Sequence, residues 1–481
     1  MGLKSFDQHR ESLRDGREVY YKGERVEDVT THPVLGIGLA HAALDYRLAE
    51  SAEHRALATY ADPETGEVYS RYYRIPESTE DLLARRALIA AATRAGSGVV
   101  LLIKEIGTDA LFALHVVTHN LDQSRGSGYF ERVRAYYQHC RRHDLSMAVA
   151  QTDVKGDRSK YPSEQPHPDY YLRCVDANER GIVVRGAKAH TTGTPFVDEL
   201  IVLPTRAMGP ADADYALSFA IPVNAPGLKL IASPSSDVVE DSFGYPVSSS
   251  HKMVDTLTIF DDVFVPWERV FLFGEWDYAG VLANTFVQFH RFTAIAYKLP
   301  MCELFIGGAA LIAEYNGIAK VAHVREKLME LVAWTETTRG LAVAAALEHS
   351  IVPPGIAVPS TTLTNIAKYH FASNYHRMVQ YVQDIAGGLI VTGPATADWE
   401  NPVTRPYLER YLGGPGGISA EQRMRIMNLL RDIAASEFGG YQEVLSIHAE
   451  GSLAAQRITV AREYDIARCV ELARAAAGLE S

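Results

Sequence analysis

Two polar loops in this chain collect the residue types that hold a polarised aromatic ring. The first, Gln151–Lys160 (QTDVKGDRSK), sets Thr152, Lys155, Asp157, Arg158 and Ser159 after an apolar strand. The second, Arg185–Pro195 (RGAKAHTTGTP), ends a strand in Lys188, His190, Thr191 and Thr192 beside glycines. Backbone N–H groups, hydroxyls and cations at strand ends suit a flavin, whose N1/O2 edge gains negative charge on reduction and whose N5 needs a hydrogen-bond partner. A third segment, Val382–Gly393 (VQDIAGGLIVTG), places Gly387 and Gly388 after a helix carrying Gln383. Paired glycines allow a pyrophosphate or a neighbouring subunit to approach the backbone closely. A fourth, Phe260–Phe271 (FDDVFVPWERVF), is aromatic and acidic by turns. Plain structural readings stand beside each: a turn with a surface salt bridge, a strand entering a loop, a helix C-cap, core packing.

The elements that must position these segments change texture twice. Residues 30–143 read mostly as helix, with an Ala/Leu-rich run at Glu80–Ala95 and an arginine-rich amphipathic one at Tyr129–His143. From 145 to 275, short runs of Val, Ile, Tyr and Thr alternate with Gly, Pro, Asn and Asp, and ANERG between two of them predicts a hairpin turn. Helical patterns return at Val321–Ser350, Thr361–Ile385, Ala420–Phe438 and Ala454–Ala477, punctuated by VPPG and GGPGG. The expected fold class is α+β: an N-terminal helical domain over 1–144, a central β domain over 145–277 and a C-terminal helical bundle over 278–481. A site is expected where these parts meet, since pockets form preferentially at such junctions.

Composition narrows the classes. The 481 residues are 47% apolar and 22% charged, which is ordinary for a globular protein. A formal charge of −12 argues against a nucleic-acid or anionic-membrane surface. Cys140, Cys174, Cys302 and Cys469 lie far apart without a CxxC, which points to a reducing, cytoplasmic compartment and no disulfide framework. The start lacks the apolar stretch of a signal peptide, and runs such as Val99–Ile103 are too short to span a bilayer. Walker A, GxSxG, HExxH and EF-hand patterns are absent. GIGLAHA at Gly36–Ala42 lacks the third glycine of a dinucleotide fingerprint and reads as a loop entering a helix. His139, Cys140 and His143, among arginines, read as a solvated face rather than metal ligands.

Taken together, TDxKGDRS, RGAKAHxTG, FDDVFVPWERVF and DIAGG occur in the order and spacing of the 4-hydroxyphenylacetate 3-hydroxylase / 4-hydroxybutyryl-CoA dehydratase superfamily, which the chain resembles from about residue 5 to 475. The resemblance implies an acyl-CoA dehydrogenase-like fold: a helical domain, a β-barrel-like domain, and a helical bundle that forms homotetramers. Its dehydratase branch holds FAD and a [4Fe–4S] cluster through three cysteines and a histidine. Here no cysteine precedes Cys140, the histidine matches His290, and the cysteine seven positions later is Tyr297. Thiolates hold such clusters, so no iron–sulfur cluster is expected. The hydroxylase branch uses reduced flavin from a separate reductase to transfer one oxygen atom of O2 to a phenol. Its Arg–Ser–Pro–Asp–Tyr segment corresponds to Ile106–Ala110, which keeps only Asp109, and its histidine before the first loop is replaced within Ala148–Ala150. The phenol clamp of that branch is therefore missing, which disfavours 4-hydroxyphenylacetate itself.

The resulting expectation is an FADH2-dependent, two-component monooxygenase acting on an aromatic or other electron-rich small molecule. The alternatives are a cluster-free flavin-dependent acyl-CoA dehydratase, isomerase or dehydrogenase, and a non-catalytic descendant. Thr152, Lys155, Asp157, Arg158, Ser159, His190, Thr191 and Thr192 are the flavin candidates, with either threonine able to serve N5. Gln383, Gly387 and Gly388 are candidates for the nucleotide end, across a subunit interface. His290 is the first catalytic candidate, because removing a phenolic proton suits an imidazole near neutral pH. Arg291 offers a planar fork for a carboxylate or phosphate. Tyr297 lies two helical turns beyond His290 and faces the same way, and Lys298 adds an anion contact. Asp255 matches an acid position of the dehydratase branch and is a candidate base. Asp261 and Asp262 read as structural turn residues, and no metal site is expected.

Overall fold

In the computed structural model, which describes residues 2–479, local signals in the chain become elements with few surprises. Ser78 caps the Ala/Leu-rich helix Thr79–Ala95 by accepting the Asp81 N–H. Gly126, at φ 64°, ends the helix Glu105–Arg125, and the helix Tyr129–His143 follows. The ANERG turn joins antiparallel strands Arg173–Asn178 and Gly181–Lys188, with Asn178 opposite Gly181. GIGLAHA falls in the helix Leu35–Ala42.

The central β region is two open sheets, which corrects the barrel-like expectation. One has six strands in the order Glu24–Val26, Glu18–Tyr21, Leu228–Pro234, Val254–Pro266, Gly181–Lys188, Arg173–Asn178. The other has four, in the order Val270–Phe273, Leu217–Pro222, Glu199–Val202, Met147–Ala150. Among the described residues the end strands of each sheet have no partner on their outer side, so neither sheet closes. Residues 18–26 supply the hairpin at one edge of the larger sheet, pairing in parallel with Leu228–Pro234.

FDDVFVP is a continuous part of the strand Val254–Pro266, with Trp267 just beyond it, so Asp261 and Asp262 are not in a turn between elements. Asp261 and Asp262 sit in a bulge where the register slips between Phe260 and Val263. Asp262 adopts φ 56° and pairs with Arg185, while Asp261 pairs with Lys229. The bulge keeps Phe260, Val263 and Val265 all buried on either side of it.

The core of the helical part is the 40-residue helix Trp276–Tyr315, which crosses Pro300 without ending. It is long and apolar enough to span a bilayer, but 67% of its most apolar window is buried by protein. It packs against Thr79–Ala95, Glu105–Arg125, Ala322–Leu347 and Thr361–Ala386. The last two predicted helical stretches each split in two, at Ala435–Ser436 and at Tyr464–Asp465, where Ser436 and Asp465 start new helices as N-caps.

One close approach sets the site. The strand Met147–Ala150 runs beneath the helix Glu105–Arg125 at Gly107, where an added Cβ would lie 2.4 Å from Met147 Cβ. The Ile103 carbonyl accepts the Met147 N–H at 2.7 Å just before that helix. Replacing Gly107 with alanine is expected to cost about 1–3 kcal/mol by overpacking. Gly340→Ala, on an exposed helix face with open space around it, should instead stabilise by about 0.5–1 kcal/mol. Urea unfolding of both variants checks this contrast.

Candidate functional site

The two polar loops leave adjacent strand ends and are fastened side by side. The Thr152 carbonyl accepts the Ala189 N–H at 2.8 Å, and Asp153 bridges to Lys188. The buried Asp153 carboxylate takes the Lys188 ammonium at 2.9 Å and the Leu172 N–H at 3.0 Å. Lys188 also donates to the carbonyls of Gln151 and Leu203, and burial pushes its pKa down against the pull of Asp153. Lys188 is thus a clamp between the loops, with every donor directed into protein.

Within the first loop, Lys155 takes φ 77° and its N–H reaches the Tyr170 carbonyl at 3.2 Å. Asp157 accepts the Ser159 hydroxyl at 2.7 Å and N–H at 3.0 Å, bonds that hold its carboxyl below the usual range. Arg158 is exposed and forms no ion pair among the described residues, so the salt bridge weighed for it does not form. In the second loop, His190 is exposed at φ 57°.

The threonines differ sharply. Thr192 donates its hydroxyl to Asp255 at 2.5 Å, and the other Asp255 oxygen accepts the Tyr441 hydroxyl at 2.5 Å. Asp255 is therefore a tether from the loop to the helix Glu437–His448, with both oxygens engaged. Thr191 exchanges backbone hydrogen bonds with Thr256, but its buried hydroxyl has no partner among the described residues. An unmade bond of this kind costs about 1–3 kcal/mol, so the group calls for a ligand or water. Gln383 donates to the Ala434 carbonyl at 2.7 Å, and Gly387 and Gly388 lie exposed with open space around them. The Gln383 bond runs to the helix Ala420–Ala434, and the backbone bonds of Gly387 and Gly388 stay between Gln383 and Thr392, so neither set reaches the loops.

The second group of candidates sits on the long core helix. His290 is 7% exposed, its ring stacked on Phe286 at 5.3 Å, with Nδ1 3.3 Å from Asp109 Oδ2. Its Nε2 makes no hydrogen bond among the described residues. Asp109 is fully buried and also accepts from Arg85 at 2.7 Å and from the Thr293 hydroxyl at 3.0 Å. Arg291 faces inward: Nε donates to the Glu450 carbonyl at 2.8 Å and Nη1 to Asn365 at 2.6 Å. Burial pushes its pKa down to about 10. Gly451 (φ 99°) makes room for it, since a Cβ there would lie 2.7 Å from Nη2.

Tyr297 donates its hydroxyl to Glu450, and Lys298 and Lys368 each approach the same carboxylate at 3.1 Å. Burial opposes charge on Glu450, but the two lysines outweigh it and hold the carboxyl below its usual range. Burial also pushes Lys368 down to about 7, with Glu450 opposing. Sequence reasoning missed Glu450, Lys368 and Arg85, which carry no motif. The one available signal was the acid of AEGS breaking a helical pattern, where Glu450 takes φ 59°.

Tyr297 belongs to the apolar core cluster that also holds Val99, Val100, Leu101, Leu102, Met301 and Cys302. The Cys302 thiol donates to the Lys298 carbonyl at 3.3 Å. Among the described residues no three His, Cys, Asp or Glu side chains gather as a metal-holding group. The residues present beside His290 do not fit a thiolate-bound cluster.

Comparison with known proteins places this geometry. The 4-hydroxyphenylacetate 3-hydroxylase N-terminal model matches residues 6–272, and the C-terminal model of the same enzyme matches residues 279–478. The chain belongs to the 4-hydroxyphenylacetate 3-hydroxylase family. Within this family it is 34% identical to the 4-hydroxybutyryl-CoA dehydratase/vinylacetyl-CoA-Δ-isomerase of Clostridium aminobutyricum, over 99% of this chain and 100% of the relative. It is 33% identical to the 4-hydroxyphenylacetate 3-monooxygenase oxygenase component of Thermus thermophilus, over 89% and 87% of the two chains. Its structure superposes on an oxygen-tolerant archaeal 4-hydroxybutyryl-CoA dehydratase from N. maritimus with a TM-score of 0.93 at 32% identity, covering 100% and 96% of the chains. On a 4-hydroxyphenylacetate 3-monooxygenase oxygenase component complexed with FAD the TM-score is 0.90 at 30% identity, covering 98% of each. The fold is that of this family, acyl-CoA dehydrogenase-like, and the protein is an enzyme of the family.

The Glu450 cluster generates a direct expectation. Glu450→Gln leaves the buried Lys298 and Lys368 without their carboxylate, which should cost about 3–5 kcal/mol near pH 7. A free lysine titrates near 10.4, whereas Lys368 in the fold is pushed down to about 7. Between these values the unfolded chain binds more protons, so stability rises with pH. Thermal unfolding of the variant should therefore recover part of its loss between pH 7 and 9, more than the parent gains.

Proposed function

We propose that the protein is a reduced-flavin-dependent monooxygenase acting on an aromatic or other electron-rich small molecule. The observation that carries this reading is the His290 surround: an imidazole with a free Nε2 beside Tyr297, which lies in an apolar core cluster with its hydroxyl fixed on Glu450. In that setting the histidine is free for proton transfer instead of metal ligation.

FAD would lie along the two fastened loops, with Thr191 hydrogen-bonding the ring, Lys155 and Arg158 offering positive charge, and Ser159 and Thr152 bordering it. The unpartnered Thr191 hydroxyl and the Thr192–Asp255–Tyr441 tether both fit that placement. Bound in reduced form, the flavin supplies the electrons that activate O2. His290 removes the substrate proton as electron density is needed on the ring, Phe286 backs the imidazole, and the buried Glu450 cluster holds the helix that carries it. A separate flavin reductase would supply FADH2. Gln383, Gly387 and Gly388, exposed and unhindered, would serve the nucleotide end from a neighbouring subunit of a homotetramer.

A second reading is a cluster-free acyl-CoA dehydratase or isomerase, favoured by the full-length match to the Clostridium enzyme. In that case His290 is the remaining base, because Asp255 has both oxygens bonded.

The test supplies FAD, NADH and a flavin reductase with a panel of phenols and indoles under 18O2. One 18O atom per product supports the proposal; turnover of an acyl-CoA without oxygen would contradict it. His290→Gln should lower product formation by about 10²–10⁴-fold with flavin binding intact. Thr191→Val, which keeps the shape and removes the hydroxyl, should weaken flavin binding, as read by fluorescence titration.

A further inference from the structure

The segment Ile106–Ala110 retains a single acid, Asp109, and the structure shows it beneath the imidazole of His290 and away from the loops. We infer that Asp109 is a positioning residue that fixes the tautomer of His290 and so makes Nε2 the proton-accepting nitrogen. This rests on His290 as the proton acceptor and adds which atom acts and what selects it.

The carboxylate divides its work. Oδ1 accepts from Arg85 Nη2 at 2.7 Å and from the Thr293 hydroxyl at 3.0 Å; Oδ2 faces only His290 Nδ1, at 3.3 Å. Arg85 is itself immobilised, with Nη1 on the Tyr72 carbonyl at 3.1 Å and Nη2 also on the Glu105 carbonyl and the Thr108 hydroxyl. Arg85 and the Thr293 hydroxyl both donate to Asp109, and a carboxylate so paired acts as an acceptor. The nitrogen facing it must then carry hydrogen. In a neutral imidazole that leaves the lone pair on Nε2.

A 180° flip of the ring would keep its plane parallel to Phe286 but would put Cδ2 in place of Nδ1 against Oδ2, losing the hydrogen bond the ring makes there. When Nε2 takes a proton, the imidazolium that forms already has a carboxylate beside Nδ1, and a 3.3 Å contact in a resting site can shorten as charge develops. The helix Thr79–Ala95 supplies Arg85, Glu105–Arg125 supplies Asp109 and the core helix supplies His290, so the device spans three elements.

The measurement is a long-range 1H–15N correlation spectrum of the full-length protein with 15N-labelled histidine, without substrate, His290 being assigned by its disappearance in His290→Gln. The expected result is protonated Nδ1 and bare Nε2. Asp109→Asn, which keeps volume but can donate as well as accept, should lose Nδ1–H as the dominant form while retaining the far-ultraviolet circular dichroism of the parent. An Nε2–H tautomer in the unmodified protein overturns the inference, whether or not the variant folds; an unchanged tautomer in folded Asp109→Asn overturns it as well. Product formation unaffected by His290→Gln would count against the proton-acceptor role alone, with the tautomer result standing.

Discussion

A helix that runs 40 residues through the core and carries His290, Arg291, Tyr297 and Lys298 within about two turns must find partners for every polar group it buries. A buried charge without a partner costs several kcal/mol, more than a typical domain can absorb at one position. Two acids meet this constraint. Asp109 receives His290, and Glu450 receives Tyr297, Lys298 and Lys368 while its backbone carbonyl receives Arg291. These contacts explain why the chain reverses at Glu450–Gly451 with both residues at positive φ, and why the helix Leu453–Glu463 packs back against Thr361–Ala386.

Asp109 and a third acid, Asp255, connect the helical layers to the loops. Asp109 belongs to the helix whose Gly107 touches Met147, and the strand from Met147 leads directly into Gln151–Lys160. Asp255 makes the complementary link, joining Thr192 of the second loop to Tyr441 of the bundle. The proposed cofactor loops and the proposed base are thus held in register by carboxylates whose oxygens are engaged within the protein. That division of labour separates groups that set geometry from groups free to react: Thr191 Oγ1, Arg158 and His290 Nε2.

Much of this was legible in the sequence, for identifiable reasons. Helices with clear periodicity, such as Tyr129–His143, and the ANERG hairpin are local events, and local signals suffice for them. The proposed flavin loops stand out by residue type, and the proposed base His290 with Tyr297 by helical spacing. What failed was everything set by distant partners. Asp261 and Asp262 read as turn residues because acids interrupt an apolar run, but cross-strand pairing to Gly181–Lys188 and Leu228–Pro234 absorbs them as a bulge. Arg291 has the chemistry of an anion clamp, yet Asn365 and Glu450, 74 and 159 residues away, claim its donors. Asp255 read as a base because nothing local showed that Thr192 and Tyr441 would occupy both oxygens. Glu450 and Lys368 were invisible, since burial rather than motif makes them matter.

The central claim is that this site uses reduced flavin to activate oxygen. FAD reduced anaerobically with the purified protein and mixed rapidly with oxygenated buffer tests it without knowledge of the substrate. The account predicts a near-ultraviolet absorbance that outlasts the reduced flavin and decays before the oxidised-flavin band rises. Direct reappearance of oxidised flavin, at the rate seen for FADH2 free in solution, would contradict it.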